Sequence, residues 1–222
     1  ALTKIRAIEQ SSIIRERFPV LAQAASVLGP IEIRNLATVG GNLCNASPAA
    51  DLPLALMVLD STVKIVGLSR SRILPVGDFF KDVNQTALDE DELLVEVHIP
   101  LSSESSSAAF MKLRHHQTSV DLAIVNVAAR LTCPDSICED ARIAAGAVAK
   151  TPLHARKAEE MLIGKKIDKE LIRNAAGAAS EESKPIDDVR ASAGYRKRMV
   201  AVLVKRALEA ALGGLEHGKS KR

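Results

Sequence analysis

Across residues 101–107 (LSSESSS) the apolar pattern of this chain changes character, and that switch limits its possible folds more than any other feature. A run of small polar residues with no apolar period reads as a linker. Downstream, residues 110–114, 122–133 and 141–148 are apolar runs of strand length, which predict three successive strands in an antiparallel sheet. Three helical patterns follow, over residues 151–162, 169–179 and 193–212. The last is the clearest, with Val200, Leu203, Val204, Ala207 and Leu208 at the spacing of one helix face. Upstream of the linker the texture is mixed. Residues 2–14 predict a short amphipathic helix and a turn, and residues 18–28 a buried helix with Pro19 in its first turn and Gly29 as its stop. Residues 31–36 lead into a loop over residues 37–50, and Asp51 is placed to cap a helix running through Leu59. Residues 62–68 and 72–76 pair as a hairpin, and residues 93–99 alternate in and out before Pro100. The expectation is an α+β protein: an α+β domain over residues 1–103, a domain of antiparallel sheet plus three helices over 104–216, and a frayed basic tail over 217–222.

Composition removes several functions. A scattered net charge of +3 gives no footprint for nucleic acid, and one Tyr with no Trp gives no base-stacking platform. No apolar run approaches the roughly 18 residues of a membrane span. No signal peptide opens the sequence, so a cytoplasmic location is expected. Cys44, Cys133 and Cys138 form no close pair and are too few for an iron–sulfur cluster. His115 and His116 are adjacent, so on a strand they face opposite ways and do not chelate one metal.

One segment departs from ordinary turn chemistry: Thr38-Val39-Gly40-Gly41-Asn42, followed by Ser47, Pro48 and Asp51. Paired glycines let backbone approach a ligand closely and adopt positive φ. Successive exposed N–H groups in such a turn form a concavity suited to a phosphate or pyrophosphate. Thr38, Asn42 and Ser47 add hydrogen-bonding side chains, and Asp51 can accept from sugar hydroxyls. A tight turn capped by Asn42, with Asp51 serving only as a helix cap, accounts for the same residues. Neither the Walker pattern nor G-x-G-x-x-G is present.

Residues 33–43 (IRNLATVGGNL) and 46–51 (ASPAAD) resemble the second flavin motif of the molybdenum hydroxylase family, the FAD subunits of aerobic carbon monoxide dehydrogenases and bacterial xanthine dehydrogenases. The resemblance continues in order through Phe79-Phe80, residues 91–94 (DELL), 146–149 (GAVA) with Pro152, Ala158-Glu159, and 190–193 (RASA) with Tyr195-Arg196. It implies a flavin-binding α+β subdomain followed by a three-stranded antiparallel sheet with a three-helix bundle. It implies FAD as cofactor, with Thr38, Val39, Gly40, Gly41 and Asn42 against the pyrophosphate and Ser47 and Asp51 also in contact. Leu93 matches an apolar position facing the isoalloxazine ring, and Met111 and Lys112 a flavin-proximal pair. Core packing for Leu93 and Met111, and a solvated charge for Lys112, are the ordinary alternatives.

The family carries another Gly-rich flavin loop in a small N-terminal subdomain, and this sequence is expected to lack it, starting at Ala1 after that subdomain's end. Where the family often has an Arg four residues past Lys112, His116 stands here. The implied role is an electron-transferring oxidoreductase subunit with no catalytic side chain or metal ligand of its own. Its implied partners in a hetero-oligomer are a molybdenum-cofactor large subunit and an iron–sulfur small subunit. Two other readings remain: a non-catalytic docking module that no longer holds FAD alone, and a generic phosphate- or nucleotide-binding domain. Asp187, Asp188 and the basic residues 190–198 are expected to be a helix start with solvated charges.

Overall fold

A computed structural model describes residues 1–101, 103, 105–114 and 122–219, with side chains described to residue 216. His115, His116, the linker residues Ser102 and Glu104, and residues 220–222 of the basic tail lie outside the described residues.

The chain opens with six helices: α1 (Ile5–Gln10), α2 (Ser12–Arg17), α3 (Pro19–Ser26), α4 (Ile31–Leu36), α5 (Val39–Cys44) and α6 (Leu52–Val58). Ser11 caps α2 by accepting from the Ile14 N–H at 3.3 Å, and Pro19 starts α3, where its missing donor costs nothing. Strands β1 (Thr62–Val66) and β2 (Ser71–Pro75) form the expected hairpin. A 3-10 turn (Val76–Phe79) and a small hairpin of β3 (Phe80–Asp82) and β4 (Gln85–Thr86) follow. Then β5 (Leu93–His98) pairs antiparallel with β1, giving the order β2-β1-β5.

The second sheet is β6 (Ser106–Arg114), β7 (Ala123–Thr132), β8 (Asp140–Gly146) and β9 (Leu153–His154), antiparallel and in sequence order. Helices α7 (Arg156–Leu162), α8 (Lys169–Glu182) and α9 (Ala193–Lys219) complete the chain. Asp168 caps α8 through the Leu171 N–H at 2.8 Å. This sheet is a middle layer. On one face Val127, Ala129, Leu131 and Ile143 join a core with α7, α8 and α9; on the other Phe110, Ala128 and Ala144 join a core with α1, α3, α5, α6 and β1. Burial on both faces is why β7 reads as a nearly continuous apolar run.

Four expectations need correction. Residues 31–36 and 39–44 form helices where a lead-in and a loop were expected. The serine-rich end of the linker is strand: Ser106 pairs with Thr132, and their hydroxyls meet at 2.7 Å, because the end of ten-residue β7 needs a partner. Leu153 and His154 extend the sheet, so the helix there starts at Arg156 rather than residue 151. Helix α9 runs past residue 212 to Lys219, into the expected frayed tail.

A charge network joins the two sides. Asp60, at φ 51°, lies 2.6 Å from an Arg130 nitrogen and 2.8 Å from Arg142 Nε, and Asp140 pairs with both arginines. Burial pushes the Asp60 pKa up, but its bonds to Arg142 and Arg130 outweigh that and hold the carboxyl below its ordinary range.

Candidate functional site

The Gly-Gly segment is the first turn of α5, not a left-handed loop. Among the described glycines only Gly29 and Gly164 have positive φ. Thr38 caps the helix, its Oγ1 accepting from the Gly41 N–H at 3.0 Å and its carbonyl from Asn42 at 2.9 Å. The Val39 N–H donates to Thr3 at 2.9 Å and that of Gly40 to Ala1 at 2.8 Å. The four amides expected to face an anion are therefore already bonded within the chain.

The glycines differ in what they permit. A Cβ on Gly40 would lie 2.9 Å from the Ala1 Cβ and 3.1 Å from its carbonyl oxygen, so glycine there lets the N-terminal backbone pass. Gly41 is exposed, and a Cβ would meet only Thr38 Oγ1, at 3.0 Å, leaving a bare polar surface above the helix start. Asn42 is half-buried, and its Oδ1 is buried with no hydrogen-bond partner among the described residues. The Ala1 ammonium donates to the Val95 carbonyl at 3.1 Å, which ties the start of α5 to β5. There Leu93 is 70% exposed, so it is not core but a bare apolar side chain on the strand beside α5.

The second half of the segment is clamped to the middle sheet. Ser47 folds onto itself, with Oγ accepting from Ala49 N at 3.3 Å. The Pro48 carbonyl accepts from the Ala147 N–H at 2.7 Å. Asp51, 4% exposed, sits at the start of α6 but its side chain does not cap the helix. Its Oδ2 pairs with Lys112 Nζ at 2.7 Å and its Oδ1 accepts from Asn126 Nδ2 at 2.8 Å. Lys112 also donates to the Val27 carbonyl at 3.1 Å, so it is a buried ion-pair partner rather than a solvated charge. Met111 is the next residue along β6, faces the other way, and packs against the core of α7, α8 and α9. The structure thus groups Thr38 to Asn42 with Leu93, groups Ser47 and Asp51 with Lys112, and leaves the Met111 side chain apart.

Four residues complete the clamp: Asn126, which was not singled out from sequence, and Gly146, Ala147 and Arg196, which carried the resemblance but were given no site role. The signal for Asn126 was present, as the one amide in the apolar run of β7. Arg196, 2% exposed, donates to the carbonyls of Ile124 and Ala147 at 3.0 Å each and pairs with Asp188 at 2.6 Å. The helix start expected here is present, with Asp187 and Arg198 exposed, but Arg196 is corrected from a solvated charge to a buried tie. Burial pushes the Asp188 pKa up, yet its bonds from Arg190 and Arg196 hold it well below the usual carboxylate range. Elsewhere a cleft of about 680 Å³ beside β2 and the β3–β4 hairpin is lined by Arg70, Arg72, Lys81 and Thr86, and holds none of the candidate residues. Among the described residues no group of three metal ligands assembles, and no helix is long and apolar enough to cross a membrane.

Comparison with known proteins agrees with this geometry. Residues 1–102 match the FAD binding domain in molybdopterin dehydrogenase, and residues 108–211 the CO dehydrogenase flavoprotein C-terminal domain. The chain is 30% identical over 209 residues to the glyceraldehyde dehydrogenase medium chain of Sulfolobus acidocaldarius, covering 94% of this chain and 73% of that one. It is 31% identical over 211 residues to the carbon monoxide dehydrogenase medium chain of Hydrogenophaga pseudoflava, covering 95% and 73%. The solved carbon monoxide dehydrogenase from Hydrogenophaga pseudoflava, in a form lacking the Mo-pyranopterin moiety, superposes with a TM-score of 0.91 at 32% identity, covering 95% of this chain and 73% of that chain. The fold and these matches define a flavin-binding subunit of oxidoreductases. The chain belongs to the family of FAD-binding medium subunits of molybdenum hydroxylase-type dehydrogenases, in which FAD is the cofactor.

Proposed function

We propose that this chain carries FAD on the surface made by Thr38, Val39, Gly40, Gly41, Asn42 and Ser47, with Leu93 beside the ring system and Asp51 and Lys112 beneath. The observation that carries this reading is the bare Gly41 surface next to an unpartnered Asn42 Oδ1 and an exposed Leu93. A dinucleotide can lie closely over glycine and cover the leucine with its flat ring system, and a turn of the Asn42 amide would let its orphaned oxygen take a donor from it. When bound, FAD supplies the redox chemistry. This chain's own residues bind it, orient it and shield one side of it from water. In this reading the protein passes electrons from an iron–sulfur small subunit, supplied by a molybdenum-cofactor large subunit, to an external acceptor. The Met111 side chain packs, partly buried, against the core of α7, α8 and α9.

The test is an FAD titration followed by flavin absorption at about 450 nm. Gly41→Val is expected to weaken binding by about tenfold or more, because its branched side chain fills the open surface and strikes Thr38 Oγ1. Unchanged affinity in that variant would remove the site from consideration. The four bonded amides at the start of α5 favour a second reading, a docking subunit that does not hold FAD by itself. Absence of binding by the unaltered protein would select it.

A further inference from the structure

We propose that Asn126, on β7, is a positioning residue for the cofactor segment 47–51, and that it acts as a latch seated against Gly146. The inference rests on the flavin reading above. Asn126 is fully buried, and both of its hydrogen bonds go to that segment: Nδ2 donates to the Ala50 carbonyl at 3.2 Å and to Asp51 Oδ1 at 2.8 Å. It has room only because its register partner on β8 is Gly146. A Cβ there would overlap Asn126 Oδ1 and lie 3.1 Å from the Pro48 carbonyl oxygen. The next residue, Ala147, takes φ 60° and aims its N–H at that same Pro48 carbonyl while its own carbonyl accepts from Arg196. Lys112 holds the second oxygen of Asp51. The segment is thus gripped at Pro48, Ala50 and Asp51 by three strands of the other side of the molecule.

The amide carries a cost as well as two bonds. Asn126 Oδ1 is buried without a donor among the described residues, and an unmet acceptor inside a strand buried on both faces is costly. A leucine would remove that orphaned oxygen but leave the Ala50 carbonyl and Asp51 Oδ1 without their Asn126 donor. What the amide adds is two directed bonds onto the segment that carries Ser47 and Asp51. Departures from an apolar core that a fold does not need collect at functional sites.

The experiment uses the full chain with Asn126→Ala, Gly146→Ala, the double variant, and Asp60→Asn as a control that loosens a separate bridge between the same layers. FAD affinity is measured by titration of the apoprotein, segment opening by hydrogen exchange at the Ala49 and Ala50 amides, and stability by thermal melting. Asn126→Ala is expected to weaken FAD by about tenfold, the size of one or two net hydrogen bonds, and to speed exchange at both amides. Gly146→Ala reproduces this, and adds less in the Asn126→Ala background because the oxygen it would strike is gone. Asp60→Asn lowers the melting temperature and leaves FAD affinity unchanged. Asn126→Ser serves if Asn126→Ala does not fold. Melting lowered in the latch variants with FAD affinity within about twofold of wild type would make the latch merely structural and overturn the inference. A wild-type protein that fails to bind FAD would overturn the flavin reading and this inference with it, a result distinct from the first.

Discussion

Replacing Lys112 by methionine keeps most of the side chain's length and removes its charge. The Lys112 and Asp51 side chains are 3% and 5% exposed, and their charged atoms are 2.7 Å apart. Deleting one partner of such a pair costs about 3–5 kcal/mol, because the remaining charge stays buried. Asp51 keeps the Asn126 donor, which pulls the cost to the lower part of that range, while the Val27 carbonyl loses its Lys112 donor and adds about 1 kcal/mol. For a chain of this size each kcal/mol moves the melting temperature by about 2–4 °C, so Lys112→Met should melt lower by about 6–20 °C. Adding Asp51→Leu removes the stranded charge and should restore most of the loss. Melting followed by circular dichroism, with urea unfolding at two salt concentrations, measures both; the deficit should be insensitive to salt because the pair is buried. A loss below about 1 kcal/mol, the scale of an exposed ion pair, would refute the reasoning. So would a double variant no more stable than Lys112→Met alone.

Glu92 is held down to a pKa of about 2 from 4.5, first by its Arg72 bond and then by the Asp89 N–H. Its stabilisation is therefore complete above about 4.5 and lost as the pH falls toward about 2. Glu92→Gln should be less stable at neutral pH and flatter across that acid window, and parallel melting curves for the two proteins down to pH 2 would contradict it. Arg196→Met strands the Ile124 and Ala147 carbonyls and breaks the Asp188 pair, and should cost about 3–5 kcal/mol in urea unfolding; a loss under about 1 kcal/mol would show these groups find other partners. We propose a domain boundary near residue 104, and limited proteolysis should cut first within residues 101–105, ahead of β6, where Leu101 is exposed; a first cut between 122 and 148, read by fragment sequencing, would displace that boundary.

The elements that could be read from sequence were those whose signal is local. Helix α9 repeats its apolar residues over several turns, and β7 is apolar on both faces, so each announced its type. The proposed site was picked out by its glycines, and their conformation differs from the expected one for a physical reason. Gly40 is required by the passage of Ala1, a contact across the chain that no local pattern encodes, while Thr38 supplies a helix cap of ordinary form. Asp51 was correctly placed at a helix start, yet its partners Lys112 and Asn126 lie 61 and 75 positions away. Leu93 looked the same in sequence whether destined for core or surface, because an alternating strand says which residues share a face and not what covers it.

The grip on Pro48, Ala50 and Asp51 comes from Lys112, Asn126 and Ala147, all later in the chain. During synthesis the glycine helix is made before any of those residues. The emerging first half can form most of one apolar core, but segment 47–51 is fully gripped only once Lys112, Asn126 and Ala147 have all been made. If the segment holds the cofactor as proposed, capture waits until Ala147 has been made. A nascent chain halted after residue 103 should fold in part and capture no flavin.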